Sequence, residues 1–211
     1  MNHTILSAIL LLLFSFPLLA KGKYVDPYKG YEESAFMDMD IENNIQTPVV
    51  GEGEHQPIVK HMRRIGDSLA KKGYIVDLTR NDEVVVVTLP TDDLFLPNDT
   101  LLSPSGIPKM TPIIDLLRDP EMFKLVYTVN TDNTGSQQYN LWLSHERNNS
   151  IYDWLLGHVS EDLIVIPYEM GDTQPVEQNN SRKGRAANRR VEFYLIPGPK
   201  MITQAHKGLL K

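Results

Sequence analysis

The segment Thr131–Arg147, TDNTGSQQYNLWLSHER, joins a turn that contains an acid to a helix-like pattern that contains an arginine. Asp132 and Arg147 are fifteen positions apart, and Gly135 between them gives the backbone freedom to turn back. If the turn folds back along the helix, the carboxylate and the guanidinium face a common space. Two interpretations follow: an incidental loop acid with a solvated arginine, or a pair that holds a ligand with two opposite charges.

The helix of this segment is predicted from Gln138 to Leu156. Asn140, Ser144 and Arg147 are separated by four and three positions, which places them on one stripe of the helix. Arg147 then stands about 10 Å along the helix axis from Asn140. The pattern therefore predicts that the two polar side chains share a face near the edge of the core.

An α-amino-acid centre, with an ammonium and a carboxylate on one carbon, is a ligand that such a pair fits. Asp132 would accept hydrogen bonds from the ammonium, and Arg147 would bind the carboxylate with two parallel bonds. Asn140 could add a donor and an acceptor. Spacing alone leaves an ordinary structural ion pair as the alternative.

The segments around this motif alternate between strand-like and helix-like patterns from Glu83 onward. Strands are predicted at EVVVVTL, FKLVYTV, LIVIPY and RVEFYLI, and YIVDL precedes the first of them across the hairpin signal TRND. This β-α-β-α-β-β order indicates an α+β fold, an α/β sandwich with helices on one face of a mixed sheet.

Two further helices are predicted before the motif. The first has an apolar stripe in PIVKHMRRIGDSLAKKG, with Pro57 in its first turn and Gly73 just past its end. The second is short, around residues 113–117, with Thr111 as its cap and Pro112 at its first position. Proline is placed there because it costs about 3 kcal/mol in a helix interior.

Residues 1–22 are interpreted as a secretory signal peptide. Their apolar run, residues 5–19, is shorter than the ~20 residues that a membrane span needs, and the sequence AKG offers a cleavage site before Lys23. An uncleaved signal anchor is the alternative, because no lysine or arginine precedes the apolar run.

The rest of the chain is divided by composition. Residues 23–55 are acidic and have no sustained period, which predicts a linker or a loosely attached arm. A single domain is predicted at 56–197, with its core at 83–197. Residues 198–211 are predicted to be a loose tail.

The composition argues against several classes of function. The chain has a net charge of −6 and no cysteine, which removes disulfides, thiolate metal sites, cysteine nucleophiles and cysteine acylation. In the basic cluster SRKGRAANRR, Arg182, Lys183 and Arg185 are expected to be solvated or paired locally. The histidines lack metal-ligand spacing and Ser144 lacks a nucleophile elbow. No nucleic acid, metal, cofactor or catalytic residue is therefore predicted.

Two stretches of the sequence resemble signatures of the OmpA-like peptidoglycan-binding domain family. TDNTGS…YNLWLSHERNNSIYDWL is similar to its central pattern, TD-x-x-G followed by N-x-x-L-S-x-x-R. MGDTQPVEQNNSRKGRAANRRVEF is similar to its closing pattern, a G-x-x-x-P loop followed by GRA-x-NRRVE. LFLPNDTLLSPSG resembles the opening strand and loop more weakly. The resemblance covers roughly residues 83–196 and implies the OmpA-like fold.

The resemblance also implies a ligand and a set of site residues. In that family the domain binds the stem peptide of peptidoglycan without cutting it and holds the zwitterionic end of diaminopimelate. By position, Asp132 would bind the ammonium and Arg147 the carboxylate, the same residues that the spacing singled out. Asn140 matches the helix asparagine, Thr131 the residue before the acid, and Arg189 the first arginine of NRR.

Some positions depart from the family pattern. Val129 and Asn130 stand where Gly-His is usual, and Asn148 replaces a small alanine. In the opening loop, Leu96 and Pro97 stand where an aromatic residue and an acid are common. Both charged anchors are kept, so the departures concern the shape of the pocket.

Together these patterns predict a non-catalytic module of a Gram-negative cell envelope. It would be exported to the periplasm, associate with the outer membrane or cell wall, and tether an envelope component to peptidoglycan. The acidic arm is a candidate contact for an envelope protein partner. The alternative is a structural or interaction protein that keeps the OmpA-like fold and has lost peptidoglycan binding.

Overall fold

Five strands form one mixed sheet. The computed structural model describes residues 33–210 of the protein. The strands are β1 (Ile75–Thr79), β2 (Val84–Pro90), β3 (Phe123–Asn130), β4 (Val165–Gly171) and β5 (Arg190–Pro197). They lie in the order β1-β2-β5-β3-β4, and all neighbours are antiparallel except β3 and β4, which are parallel. The predicted mixed sheet is confirmed.

The hairpin between β1 and β2 turns through three residues with positive φ. Arg80, Asn81 and Asp82 have φ of 52°, 52° and 68°. Asparagine and aspartate tolerate this left-handed region better than most residues. The turn signal TRND therefore gave the correct pairing, with Thr79 opposite Val84.

Helices surround the sheet in the described residues. They are α1 (Glu33–Met37), α2 (Ile41–Gln46), α3 (Glu52–Lys71), α4 (Thr91–Leu94), α5 (Ile107–Ile114), α6 (Gln137–Leu156), α7 (Arg182–Asn188) and α8 (Pro199–His206). α3, α5, α6 and α8 bury their apolar side chains in one cluster against one face of the sheet. This is the helical layer that the β-α-β-α-β-β order predicted.

Alternation along the strands divides the apolar side chains between the two faces of the sheet. In β3, Leu125 and Tyr127 belong to the cluster under the helices, whereas Val126 belongs to a smaller cluster on the opposite face. In β2, Val85 and Val84 are divided in the same way. This is the period of two expected for a strand that is buried on both faces.

Helix α3 begins earlier than predicted. It starts at Glu52, and Pro57 lies inside the helix rather than in its first turn. Two hydrogen bonds, each 2.7 Å long, involve this extra turn: Glu54 with His206 of α8, and His55 with Glu83, the residue before β2. These long-range contacts favour helix on the amino-terminal side of the proline.

Helix α5 also differs from the prediction. It runs from Ile107 to Ile114 with Pro112 in its interior, and a 3₁₀ turn continues it through Asp115–Arg118. Thr111 is not the cap, because its hydroxyl donates to the Ile107 carbonyl at 3.3 Å. The helix buries Ile113 and Ile114 in the core, and this burial outweighs the local cost of the proline.

The prediction of a loose tail is wrong for Pro199–His206. These residues form α8, which packs against α3. Met201, Ile202 and Ala205 lie on one side of α8 and are buried in the main cluster. The short segment MITQA carries an amphipathic pattern that the surrounding proline and glycine residues obscure.

The prediction of a loosely attached arm is wrong for α1 and α2. The arm covers the sheet face that the other helices leave open, and Phe36 is buried there with Val84 and Val126. Asn44 of α2 is fully buried and donates 2.6 Å hydrogen bonds to the Phe36 carbonyl and to the Tyr168 hydroxyl. The few apolar residues of α1 and α2 are thus enough to dock these helices, because this face of the sheet is itself apolar.

A buried lysine of β3 holds the arm in place. Lys124 is 0% exposed, and its Nζ donates to the backbone carbonyl of Asn44 at 2.6 Å and to its side-chain oxygen at 3.1 Å. The ammonium also lies 4.6 Å from the centre of the Phe36 ring. Burial, together with the positive charge of Arg80, lowers the pKa of Lys124 to about 7.

The signal peptide predicted for residues 1–22, and the alternative of an uncleaved anchor, lie outside the described residues. Between residues 33 and 210 the helices are too short or too polar to cross a membrane. The domain boundaries at 56 and 197 stay predictions.

We predict that Phe36→Ala lowers the free energy of unfolding by about 3 kcal/mol, because it leaves a cavity between the arm and the sheet. Met37→Ala is the matched control, since Met37 is the next residue of α1 and is 55% exposed. It should change stability by less than about 0.5 kcal/mol. Urea unfolding of the two variants checks this, and equal effects would contradict the docking of the arm.

The buried lysine predicts a pH dependence of stability. Its pKa is about 7 in the folded chain and 10.5 ordinarily, so between these values the unfolded chain binds more protons. Stability should therefore rise with pH from about 7 towards 10.5, by at most about 1.4 kcal/mol per pH unit. Urea unfolding at pH 7 to 9 should show this rise in the parent and not in Lys124→Met. Parallel curves for the two proteins would refute the assignment.

Candidate functional site

The site lies at the end of β3, where the sheet is joined to α6. The register between β3 and β4 shifts there, so that Asn130 pairs with Gly171. Gly171 has a φ of +54°, and its carbonyl accepts a 2.7 Å hydrogen bond from the Thr131 N–H. Its own N–H donates to the Ser144 hydroxyl at 3.1 Å, and a Cβ here would lie 3.2 Å from the Leu141 nitrogen. A larger residue would therefore strain the junction.

The turn that follows Thr131 folds back against the first turn of α6, as the sequence predicted. Ser136 caps the helix by accepting a 3.1 Å hydrogen bond from the Tyr139 N–H. Gly135 packs so closely that an added Cβ would lie 2.5 Å from Oδ1 of Asn140. A larger residue here would therefore displace the side chains of Asn140 and Tyr139.

Asp132 is a buried carboxylate that has several donors. Its Oδ1 accepts from the N–H of Thr134 at 2.9 Å and from the hydroxyl of the same residue. Its Oδ2 accepts from Nη1 of Arg189 at 2.7 Å. Burial raises the pKa of Asp132, but the hydrogen bonds from Thr134 and Arg189 outweigh it and bring the pKa below its ordinary value of 3.8. The group is therefore an anion at neutral pH.

Arg189 bridges two carboxylates. Besides Asp132 it binds Asp92 of α4 in a bidentate arrangement, with Nε to Oδ1 at 2.9 Å and Nη2 to Oδ2 at 2.6 Å. These hydrogen bonds, led by those to Asp92, raise the pKa of Arg189 above its ordinary value. Asp92 can thus keep Arg189 neutralised when Asp132 takes another partner.

Arg147 of α6 is a buried guanidinium whose partners are not carboxylates. Its Nε donates to the Asp99 carbonyl at 2.9 Å, and its central carbon lies 4.9 Å from the centre of the Phe95 ring. Burial lowers the pKa of Arg147 below its ordinary value, and the guanidinium stays protonated at neutral pH. Within the described residues Nη1 and Nη2 have no hydrogen-bond partner, so both are available to a ligand.

These side chains line one open cavity of about 440 Å³. All five residues predicted for the site contribute to its wall: Thr131, Asp132, Asn140, Arg147 and Arg189. Asn140 and Arg147 are both buried and share the predicted stripe of α6. The five side chains named from the sequence thus lie together in the structure, and their role in binding a ligand stays a prediction.

The ion pair within the cavity is not the one between Asp132 and Arg147 that a purely structural role for these residues would require. Asp132 forms its ion pair with Arg189, which sequence reasoning had placed in the pocket without assigning it a partner. No Asp132–Arg147 ion pair is formed among the described side chains. The carboxylate and the guanidinium that the spacing singled out are therefore separate charges on one cavity.

Several residues of the cavity wall were missed by the sequence analysis. Arg182 and Arg185 of α7 line the cavity, where local pairing or solvation was expected, and Lys183 does not. Their spacing of three positions on a helix was the signal that could have found them. No sequence pattern marked Asp92, because its partner in the cavity wall, Arg189, lies 97 positions later in the chain.

Three of the departures from the family pattern, Val129, Asn130 and Asn148, lie outside the cavity wall. Val129 is buried in the main core, and Asn130 donates to the Thr128 hydroxyl at 3.0 Å. Asn148 is buried and donates to Glu169 of β4 at 3.3 Å. The three residues therefore affect how α6 and β4 pack on β3, and not the wall that a ligand would touch. In the opening loop, Pro97 lines the cavity.

Comparison with known proteins points to the OmpA-like fold, and the match covers the part of the chain that forms the cavity wall, apart from Asp92. Residues 94–189 match the model of the OmpA family. The probable lipoprotein YiaD of Escherichia coli is 26% identical over 126 residues, 60% of this chain and 58% of that protein. The peptidoglycan-binding protein ArfA of Mycobacterium tuberculosis is 26% identical over 173 residues, 82% of this chain and 48% of that protein. The chain thus matches about half the length of these relatives.

A solved structure extends the comparison to the fold. The cell wall anchor of the T6SS from Pseudomonas aeruginosa superposes with a TM-score of 0.53 and 26% identity, covering 66% of this chain and 96% of that one. The mixed sheet, the cavity at the end of β3 and the family match define an OmpA-like α+β domain. Over residues 94–189 the chain is similar to the OmpA family, whose model it matches there.

We predict that Arg189→Gln raises the pKa of Asp132, because it removes both the hydrogen bond and the positive charge that favour the carboxylate. Carboxyl ¹³C shifts followed through an acid titration by NMR measure this directly. The parent should titrate below 3.8 and the variant closer to or above it. Arg118→Gln is the control, since Arg118 pairs with Asp115 and is 80% exposed. An unchanged titration in Arg189→Gln would show that Arg189 does not hold the carboxylate.

Proposed function

We propose that this domain binds the stem peptide of peptidoglycan without cutting it and so tethers an envelope component to the cell wall. The observation that carries the proposal is a cavity with one buried carboxylate and one buried guanidinium that do not pair with each other. The names of two relatives, a peptidoglycan-binding protein and a cell wall anchor, support the class of ligand.

In the proposed complex, one amino-acid centre of the ligand lies between the two charges. The ligand carboxylate binds Nη1 and Nη2 of Arg147, whose Nε is already held by the Asp99 carbonyl. The ligand ammonium binds Asp132. Both charges are buried, so each contact is stronger than it would be in water.

The ammonium has to share Asp132 with Arg189 or displace it. Displacement leaves Arg189 in its bidentate pair with Asp92, so no guanidinium loses all its carboxylate contacts. Asn140 lies on the same helix face as Arg147 and supplies an amide to the ligand. Thr131 completes the wall beside the acid.

The alternative is a protein that keeps the fold and has lost binding through changes at Val129, Asn130 and Asn148. None of the three lines the cavity, which favours the binding hypothesis. A periplasmic location and association with the outer membrane or cell wall belong to the same proposal. Because α1 and α2 dock on the sheet, a partner protein that binds this part of the arm would meet the exposed surface of these two helices.

We predict that Asp132→Asn and Arg147→Gln each lower the affinity for purified peptidoglycan by at least about tenfold, because each removes one end of the clamp. Cosedimentation of the full-length protein with peptidoglycan sacculi measures the bound fraction. Asp93→Asn and Arg118→Gln are the matched controls. Asp93 is exposed beside Asp92, Arg118 is exposed on the 3₁₀ turn, and neither lines the cavity.

Three outcomes decide the proposal. Loss of binding in both cavity variants with retention in both controls supports it. A parent protein that stays in the supernatant, or cavity variants that sediment as well as the parent, overturns it. Release of soluble muropeptides from the sacculi would show that the protein is an enzyme instead.

A further inference from the structure

The cavity contains more positive charge than a single amino-acid centre can neutralise. Its wall carries four guanidinium groups and two carboxylates: Arg147, Arg182, Arg185 and Arg189 with Asp92 and Asp132. Arg189 forms ion pairs with both carboxylates. Within the described residues, the other three guanidinium groups have no carboxylate partner.

A zwitterionic centre adds no net charge to the cavity. Its carboxylate would occupy Arg147, its ammonium would occupy Asp132, and Arg182 and Arg185 would stay uncompensated. The volume of about 440 Å³ falls within the range of sites that enclose drug-sized ligands, larger than one amino-acid centre. Charge and size therefore both indicate that a longer part of an anionic ligand enters the cavity.

The two remaining arginines are held on a rigid element. Asn188 at the end of α7 is fully buried, and its Oδ1 accepts from the N–H groups of Val176 and Glu177 at 2.9 and 3.0 Å. Gly184 packs against the same loop, where an added Cβ would lie 2.0 Å from the Gln178 carbonyl. The position of α7 beside the cavity is thus set by buried contacts.

Arg185 is oriented by a contact that leaves most of its donors free. Its Nη1 donates to the Asn179 carbonyl at 2.9 Å, and a guanidinium has further N–H groups to offer. Arg182 precedes it by three positions, so the two side chains leave the same side of α7. Lys183, between them, does not line the cavity.

We propose that Arg182 and Arg185 form a second carboxylate subsite, which binds another carboxylate of the same stem peptide. The inference rests on the proposed function, and it adds a preference for stem peptides whose carboxylates are free over those in which one is an amide. A carboxylate is the chemical group that fits, because stem peptides carry several within a few bonds of the diamino acid. The planar forks of two arginines match its oxygens.

The test is calorimetric titration of the full-length protein with three synthetic peptides. The first is L-Ala-γ-D-Glu-meso-diaminopimelate-D-Ala with all carboxylates free, and the others carry a carboxamide at the D-Glu α-carboxylate or at the carboxy terminus. We expect one of the two amides to bind about tenfold more weakly than the parent peptide. The double variant Arg182→Gln/Arg185→Gln should bind the parent peptide about tenfold more weakly, and amidation should then make no further difference.

Lys183→Gln is the matched control, because it removes one positive charge from the same helix without altering the cavity wall. It should bind all three peptides as the parent protein does. Arg182→Gln alone keeps the contact between Arg185 and Asn179, and it should show an intermediate loss. Thermal unfolding of each variant checks that the fold as a whole is kept.

The results separate the subsite from the function on which it rests. If Asp132→Asn and Arg147→Gln abolish binding but neither amide weakens it, the second subsite is refuted and the proposed function stands. If Lys183→Gln loses as much affinity as the double arginine variant, the positive charges act by general electrostatic attraction, and the subsite is also refuted. If no peptide binds, or binding is unchanged in Asp132→Asn and Arg147→Gln, the proposed function itself fails.

Discussion

The site depends on one constraint: two opposite charges must be buried near each other without neutralising each other. Removing an ion from water costs several kcal/mol unless other groups compensate it. Asp132 is compensated by Thr134 and Arg189, and Arg147 by the Asp99 carbonyl and the Phe95 ring. Because each charge has its own partners, neither needs the other. The cavity between them can then present both signs of charge at once, which a closed Asp132–Arg147 ion pair would prevent.

This arrangement needs several parts of the chain at fixed positions. The shift of register at Gly171 brings Thr131 and Ser144 to the same junction, which fixes the end of β3 against α6. The loop before α5 supplies the Asp99 carbonyl, and α4 supplies Asp92 as the second partner of Arg189. Arg189 is the connecting element, since a guanidinium with two carboxylates can release one and stay paired. The sheet acts as the frame that holds these loops at one edge.

Sequence reasoning succeeded where the interactions are local. The hairpin, α6 and the stripe that carries Asn140 and Arg147 follow from turn residues and from periodicity within about twenty residues. It failed where distant contacts decide the outcome: hydrogen bonds to Glu83 and His206 extend α3, and core burial outweighs the cost of Pro112 in α5. The position of Arg182 and Arg185 depends on how α7 packs against the loop at residues 176–178, and no local sequence pattern predicts this packing. The five predicted site residues line one cavity because the motif itself is local, apart from Arg189, which the resemblance supplied.

The second face of the sheet shows how a polar group can determine packing. By alternation, Lys124 lies on the face away from α6, where a strand would ordinarily expose a lysine to water. Here α1 and α2 cover it, with few apolar side chains to bury. Apolar contacts are not directional, whereas a buried ammonium must find acceptors at hydrogen-bond distance. The backbone carbonyl and the side-chain oxygen of Asn44 are those acceptors. The apolar contacts thus hold the arm against the sheet, and the lysine selects the position at which α2 docks.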